Sequence, residues 1–179
     1  TLANGSSIHK SLIGKFKNEV KRQGALPFVR HHNIKYGGQF PIWVAVELFT
    51  FGMLGSLFDL MRENDQRAVS REYNLSPESL SRLIASAVDV RNICAHYNRL
   101  YNRVLEEQPL LPNRLHLYES DRLFPLLLAF AHVLGRERVL NRLITGLSLL
   151  ETDFPEADLS LCGFPEDWRS ILEAEAAQA

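Results

Sequence analysis

Little in this chain commits it to the common protein chemistries. Its 179 residues include two cysteines, Cys94 and Cys162, with no Cys-x-x-Cys pair, which excludes a disulfide frame and a dithiol redox motif. No secretory n-region or cleavage site is visible, and with so few cysteines the expected compartment is the reducing cytoplasm. Net charge is −1, so no global basic field draws in nucleic acid, and any such binding must come from a local patch. Neither common form of glycine-rich phosphate loop occurs, which removes the usual nucleotide triphosphatases. His31, His32, Cys94, His96 and His116 have no structural-zinc spacing and no second pair to complete four ligands, so neither a metal nor a cofactor is expected. Internal repeats and low-complexity segments are missing, and the alternation that marks strands is almost absent.

What is present is helical periodicity. A chain of this length is expected to form one domain, residues 1–179, and to bury roughly 70% of its unfolded surface. The spacing predicts a first helix from about Ile8 to Gln23, ended by Gly24, and then a loop punctuated by Pro27, Gly37 and Gly38 up to Pro41. Phe40 to Phe58 is a 19-residue run with one charge, long enough to raise a membrane-spanning reading. Glu47 near its middle, Pro41 at its start and Gly52 and Gly55 favour instead a helix from Pro41 to about Glu63, buried in protein and broken near Gly52. A buried Glu47 needs a partner, and Arg91 or Arg99 is the expected one. A short helix follows from Gln66 to Tyr73. Ser76 with Pro77 then starts a long helix that should reach about Glu106. Asp121 should cap a further helix that admits Pro125 in its first turn and stops at Gly135, and Arg136 to Leu150 forms the last long one. Trp168 should anchor a short terminal helix on the body, with residues from Glu173 onward fraying.

The long helix carries the chemistry. Asn92, His96, Arg99 and Arg103 fall on one face if the helix continues, while Leu83, Ala87, Val90, Cys94, Tyr97 and Tyr101 form an apolar stripe toward the core. A polar face with a histidine and successive arginines suits anion binding. Arg91 lies five positions before His96, about 140° round an ideal helix, so the two meet on one phosphate only through arginine's reach or through a second subunit. The spacing alone is equally met by an ordinary helix whose arginine pairs with Glu47 and whose histidine is a surface or capping residue. Residues 68–80 read like a helix-turn-helix with Ser79 and Arg82 toward a groove, but they lack the basic excess that DNA binding needs.

Arg91-Asn92-Ile93-Cys94-Ala95-His96, followed by Arg99-Leu100-Tyr101-Asn102-Arg103, resembles the signature of the Abi-like abortive-infection proteins, a branch of the HEPN superfamily of helical ribonucleases. Phe28-Val29-Arg30-His31-His32 to Tyr36, then Pro41-Ile42-Trp43 with Glu47, Phe51 and Gly52, is similar to that family's central segment. Gly163-Phe164-Pro165 with Trp168 is similar to its C-terminal one. Tyr97 departs from the family in standing where many relatives have a second histidine, and Tyr101 in standing where a tryptophan is usual.

The resemblance implies an all-α fold: a HEPN-like helical bundle with additional short helices and a C-terminal tail, here expected to lack most of the family's N-terminal helices. It further implies a homodimer that brings two motifs together, metal-independent cleavage of RNA in phage defence, a protein or RNA antitoxin as a further partner, and no membrane. On that reading Arg91, Asn92 and His96 are catalytic, Arg99 and Arg103 bind flanking phosphates, and Glu47 supports or orients the motif. A non-catalytic helical dimer that binds RNA or protein is the competing expectation, and a helix-turn-helix DNA binder the third.

Overall fold

Apolar residues at helical spacing become helices throughout the computed structural model, which describes residues 2–134 and 137–177; no strand forms among them. The chain divides into two compact units, Thr1–Gln66 and Arg67–Ala179.

In the first unit, α1 (Leu2–Arg22) packs on α4 (Phe51–Leu60). Leu12, Val29, Leu48, Met53 and Phe58 are buried in this unit, and Phe16 sets its ring edge-on to Phe40 and Phe49 at 5.6 and 5.9 Å. The helix α2 (Pro27–Lys35) occupies the stretch expected to be loop, because Pro27 sits at its first turn, where a missing N–H is harmless and the fixed φ suits a helix. Gly37 and Gly38, both at positive φ, then turn the chain.

The apolar run after Pro41 is not one long helix. It divides into α3 (Ile42–Ala45), a 3-10 turn (Val46–Leu48) and α4. Phe49 and Thr50 are extended between them, and the Thr50 hydroxyl accepts the Met53 N–H at 3.4 Å to cap α4. The break therefore falls before Gly52, at the first residue able to cap a new helix. Glu47 is exposed on the 3-10 turn, which corrects the expectation that it is buried: its carboxylate stays in water and needs no ion-pair partner. Among the described residues no helix is long and apolar enough to cross a membrane.

The helix α5 (Glu63–Arg71) spans the unit boundary and starts three residues earlier than the spacing predicted. In the second unit α6 (Pro77–Ala95) begins as expected, with the Ser76 hydroxyl accepting the Ser79 N–H at 3.0 Å and Pro77 in the first turn. Then come a 3-10 turn (Asn113–Tyr118), α7 (Phe124–Leu134), α8 (Glu137–Asp153), a second 3-10 turn (Leu159–Cys162) and α9 (Trp168–Ala176). The core lies between α7 and its neighbours, with Phe124, Leu128 and Leu172 fully buried and Phe164 between the rings of Phe124 and Trp168 at 5.0 and 5.8 Å. Each such side chain contributes about 1.5–3 kcal/mol of hydrophobic stabilisation.

Asp121 does not cap α7. Its carbonyl accepts the Leu105 N–H at 2.8 Å and its carboxylate pairs with Arg122 Nε at 3.2 Å, so the helix starts three residues later. Pro125 lies in the first turn as expected. The stop expected at Gly135 and the start expected at Arg136 lie outside the described residues. The tail is better fixed than expected: α9 continues through Ala176, with Glu175 buried.

Candidate functional site

The motif lies at the end of α6, and the way that helix ends determines its geometry. Leu80, Leu83, Ala87 and Ile93 face the core, so Ile93 takes the buried position assigned to Cys94 by the spacing, and Cys94 is exposed. The helix stops at Ala95, and His96 is its C-cap. Tyr97 then adopts a left-handed backbone, φ +53°. Its N–H bonds to the Cys94 carbonyl at 3.1 Å and the Asn98 N–H to the Ile93 carbonyl at 3.0 Å, the two bonds of a Schellman turn. This corrects the helix expected to reach Glu106. Leu105 is buried with its N–H committed to Asp121, an arrangement that a continuing helix could not reach.

The polar face changes accordingly. Asn92 and His96 remain one turn apart, but Arg99 and Arg103 lie in the loop beyond, on no helical face with them. Arg91, His96, Arg99 and Arg103 are all exposed, and among the described residues none of the four is paired with a carboxylate. The Arg91 guanidinium donates to Asn92 Oδ1 at 3.0 Å, so the asparagine amide holds the arginine in place. Tyr97 is 99% exposed and Tyr101 38%, so neither extends the core stripe.

The loop after His96 is pinned by residues that the spacing did not single out. The Asn102 N–H reaches Cys162 Sγ at 3.4 Å, and the Arg122 guanidinium donates to Asn102 Oδ1 at 2.9 Å. The Asp158 N–H donates to the Tyr101 phenol oxygen at 3.0 Å. Bonds from Ser160, side chain first and backbone second, hold the Asp158 carboxyl below the usual carboxylate range. Gly163, at φ +83°, completes the support: a Cβ there would fall 2.7 Å from Arg122 Cβ, so only glycine lets Arg122 reach Asn102 from its present position. The C-terminal segment around Gly163 and the motif loop thus meet in one structure. The signal in the sequence is the Cys-Gly turn at Cys162 and Gly163, but its partner Asn102 lies sixty residues earlier, beyond the reach of local spacing.

Ser79 and Arg82 do not face a groove. Ser79 is engaged by Ser76, and the Arg82 guanidinium donates to the Gln108 carbonyl at 3.1 Å, which removes the two side chains that the helix-turn-helix reading needed. His32 is fixed by its Nδ1 contact with the Phe28 carbonyl at 2.8 Å and by stacking on Phe40. Among the described residues no three His, Cys, Asp or Glu side chains form a group able to hold a metal ion.

An all-helical protein with an exposed Arg-x4-His motif closing a core helix belongs to a narrow class. The family model described as Abi-like protein matches residues 2–102, more than half of the chain and the whole of the motif loop up to Asn102. The chain belongs to the Abi-like family. No curated protein and no solved structure matches it.

Proposed function

We propose that this protein is a metal-independent endoribonuclease acting in abortive infection, with a site composed from two chains. Membership of the Abi-like family supports a role in abortive infection. The observation that carries the chemistry is the exposed His96 at the end of α6, with exposed Arg91 on the same helix and no carboxylate paired with either among the described residues. A histidine in this state can take up or give a proton, and a free guanidinium beside it can bind a phosphate.

RNA cleavage needs one group to remove the 2′-OH proton and another to protonate the departing 5′-oxygen. One motif supplies one histidine. In a two-fold dimer every residue near the axis occurs twice, so a cleft at the axis holds both histidines and both Arg91 side chains. His96 of one protomer takes the 2′-OH proton, the 2′-oxygen bonds to phosphorus, the bond from phosphorus to the 5′-oxygen breaks, and the partner's His96 protonates that oxygen. Both arginines stabilise the extra negative charge on the phosphorane. Arg99 and Arg103 hold flanking phosphates, and Asn92 orients Arg91. The products are a 2′,3′-cyclic phosphate and a 5′-hydroxyl. An antitoxin, protein or RNA, is the partner expected to restrain such an activity.

The non-catalytic reading has one observation in its favour: His96 is the C-cap of α6, a structural position in its own right. The two separate in one experiment. The cap bonds are made by backbone atoms and His96 is exposed, so His96→Ala keeps the fold. With EDTA present, that variant should cleave RNA about 10²- to 10⁴-fold more slowly than wild type. Equal cleavage by the two proteins, or strict dependence of the wild type on added Mg²⁺, would overturn the assignment.

A further inference from the structure

The balanced charge of the chain conceals an asymmetry. Residues 1–46 contain seven lysines and arginines and one carboxylate, Glu19, and the excess acid lies in the remainder. That carboxylate is engaged by Arg22 at 2.6 Å, so the first unit opens with a basic segment whose only acid is neutralised. The same segment forms a cavity of about 480 Å³, lined by His32, Tyr36, Gln39, Phe40 and Trp43 with Pro41, a size suited to a small planar ligand.

Its walls are rings. His32 and Phe40 stack at 5.1 Å with 16° between their planes, and the Tyr36 ring lies 5.3 Å from His32. The Lys35 ammonium sits 5.4 Å from the centre of Tyr36. Trp43 is 72% exposed and Tyr36 47%, large aromatic surfaces left in water where a core role would have covered them. Gln39 contributes an amide that both donates and accepts, the complement of a base edge. No carboxylate lines the cavity.

We propose that this cavity binds an unpaired nucleobase of single-stranded RNA, stacked against Trp43 and Tyr36, with the basic segment holding the adjoining phosphates. The inference rests on the reading of RNA as the substrate and adds a subsite to it. Stacked rings, an amide and surrounding cations without acids match the way single strands are held, by stacking for the base and by charge for the backbone. An acidic peptide would use the charge but leave the rings without a planar partner.

The test is binding rather than cleavage. A single-stranded RNA of about a dozen nucleotides is titrated into the full-length His96→Ala protein and into the same protein carrying Trp43→Ala or Trp43→Phe. Trp168, 4% exposed, is shielded, so quenching of tryptophan fluorescence reports Trp43. Trp43→Ala should weaken binding roughly tenfold or more, and Trp43→Phe should retain most of it. A strand with the same phosphates but no bases should bind the three proteins alike. Equal RNA affinity with and without Trp43 overturns the base site, as does a loss of self-association in Trp43→Ala with RNA affinity intact, which would make this surface a protein contact. A wild type that binds through Trp43 but cuts nothing sinks the ribonuclease reading and leaves this subsite standing. Cleavage by a protein whose RNA affinity ignores Trp43 does the reverse.

Discussion

Tyr97 holds a backbone conformation that suits glycine, and it holds it immediately after the residue proposed to move protons. The Schellman turn needs its residue beyond the cap at positive φ, and Tyr97 supplies φ +53°. For a side chain with a Cβ that conformation is less favourable by about 1–2 kcal/mol. Its ring is 99% exposed and recovers nothing by burial. Replacing it by glycine relieves the strain, and the larger entropy of the unfolded glycine chain offsets part of the gain. Tyr97→Gly should therefore raise stability by about 0.5–1 kcal/mol in urea unfolding, while Tyr97→Val, which cannot enter the left-handed region without greater strain, should lower it. A glycine variant less stable than wild type would show that the tyrosine ring makes a stabilising contact elsewhere. Asn102 and Asn74 also sit at positive φ, but asparagine tolerates that region, so the same gain is not expected there.

At the scale of the element, α9 shows how a short terminal helix becomes fixed. Trp168, Leu172 and Glu175 recur one turn apart on one face, the first two buried among α7 and α8. The Trp168 Nε1–H donates to Glu151 at 3.2 Å. Glu175, 3% exposed, accepts from Arg114 and lies 2.8 Å from His132 Nδ1, which ties the last turn of α9 to α7 and to the turn before it. Glu175→Ala leaves both partners without their acceptor and should lower stability by about 1–3 kcal/mol in denaturant unfolding, less than for a wholly buried pair because Arg114 is 42% exposed. A change below a few tenths would show that water replaces the carboxylate there. Helix starts are legible in the sequence because their determinants are local: Ser76 with Pro77 marks α6 within a residue. Helix ends are not. Tyr97 gives no glycine or proline signal, and the chain leaves α6 in order to bury Leu105 against a partner sixteen residues further on. The fraying expected from Glu173 does not occur for the same reason, since Arg114 and His132 are distant in sequence. The identities of Arg91, Asn92 and His96 are readable as a motif, whereas the placement of Arg99 and Arg103 depends on where the helix ends and is hidden with it. Pro27 has two readings, since proline opens a helix as readily as it breaks one, and only the packing of α2 decides between them.

For the whole molecule, the motif lies in the second unit and the aromatic cavity in the first, so one chain carries a separate surface for the proposed chemistry and for the proposed base contact. A single chain still carries only one His96. If acid and base are the two copies of His96 in a two-fold dimer, a dimer with one wild-type chain and one His96→Ala chain lacks one proton-transfer group and should be nearly inactive. Wild-type and variant chains unfolded together and refolded at equal concentrations pair at random, so about a quarter of the dimers are fully wild-type. Cleavage per total protein should then fall to about a quarter of the pure wild-type rate, and across mixing ratios it should follow the square of the wild-type fraction. Sites complete within one chain would give half the activity at equal mixing and a straight line throughout. The chains in such mixtures must be shown to exchange, by a mass or affinity label carried on one of them. A straight line with exchange demonstrated would place both proton transfers within one chain, and His96 would then need a second group from its own loop or from water.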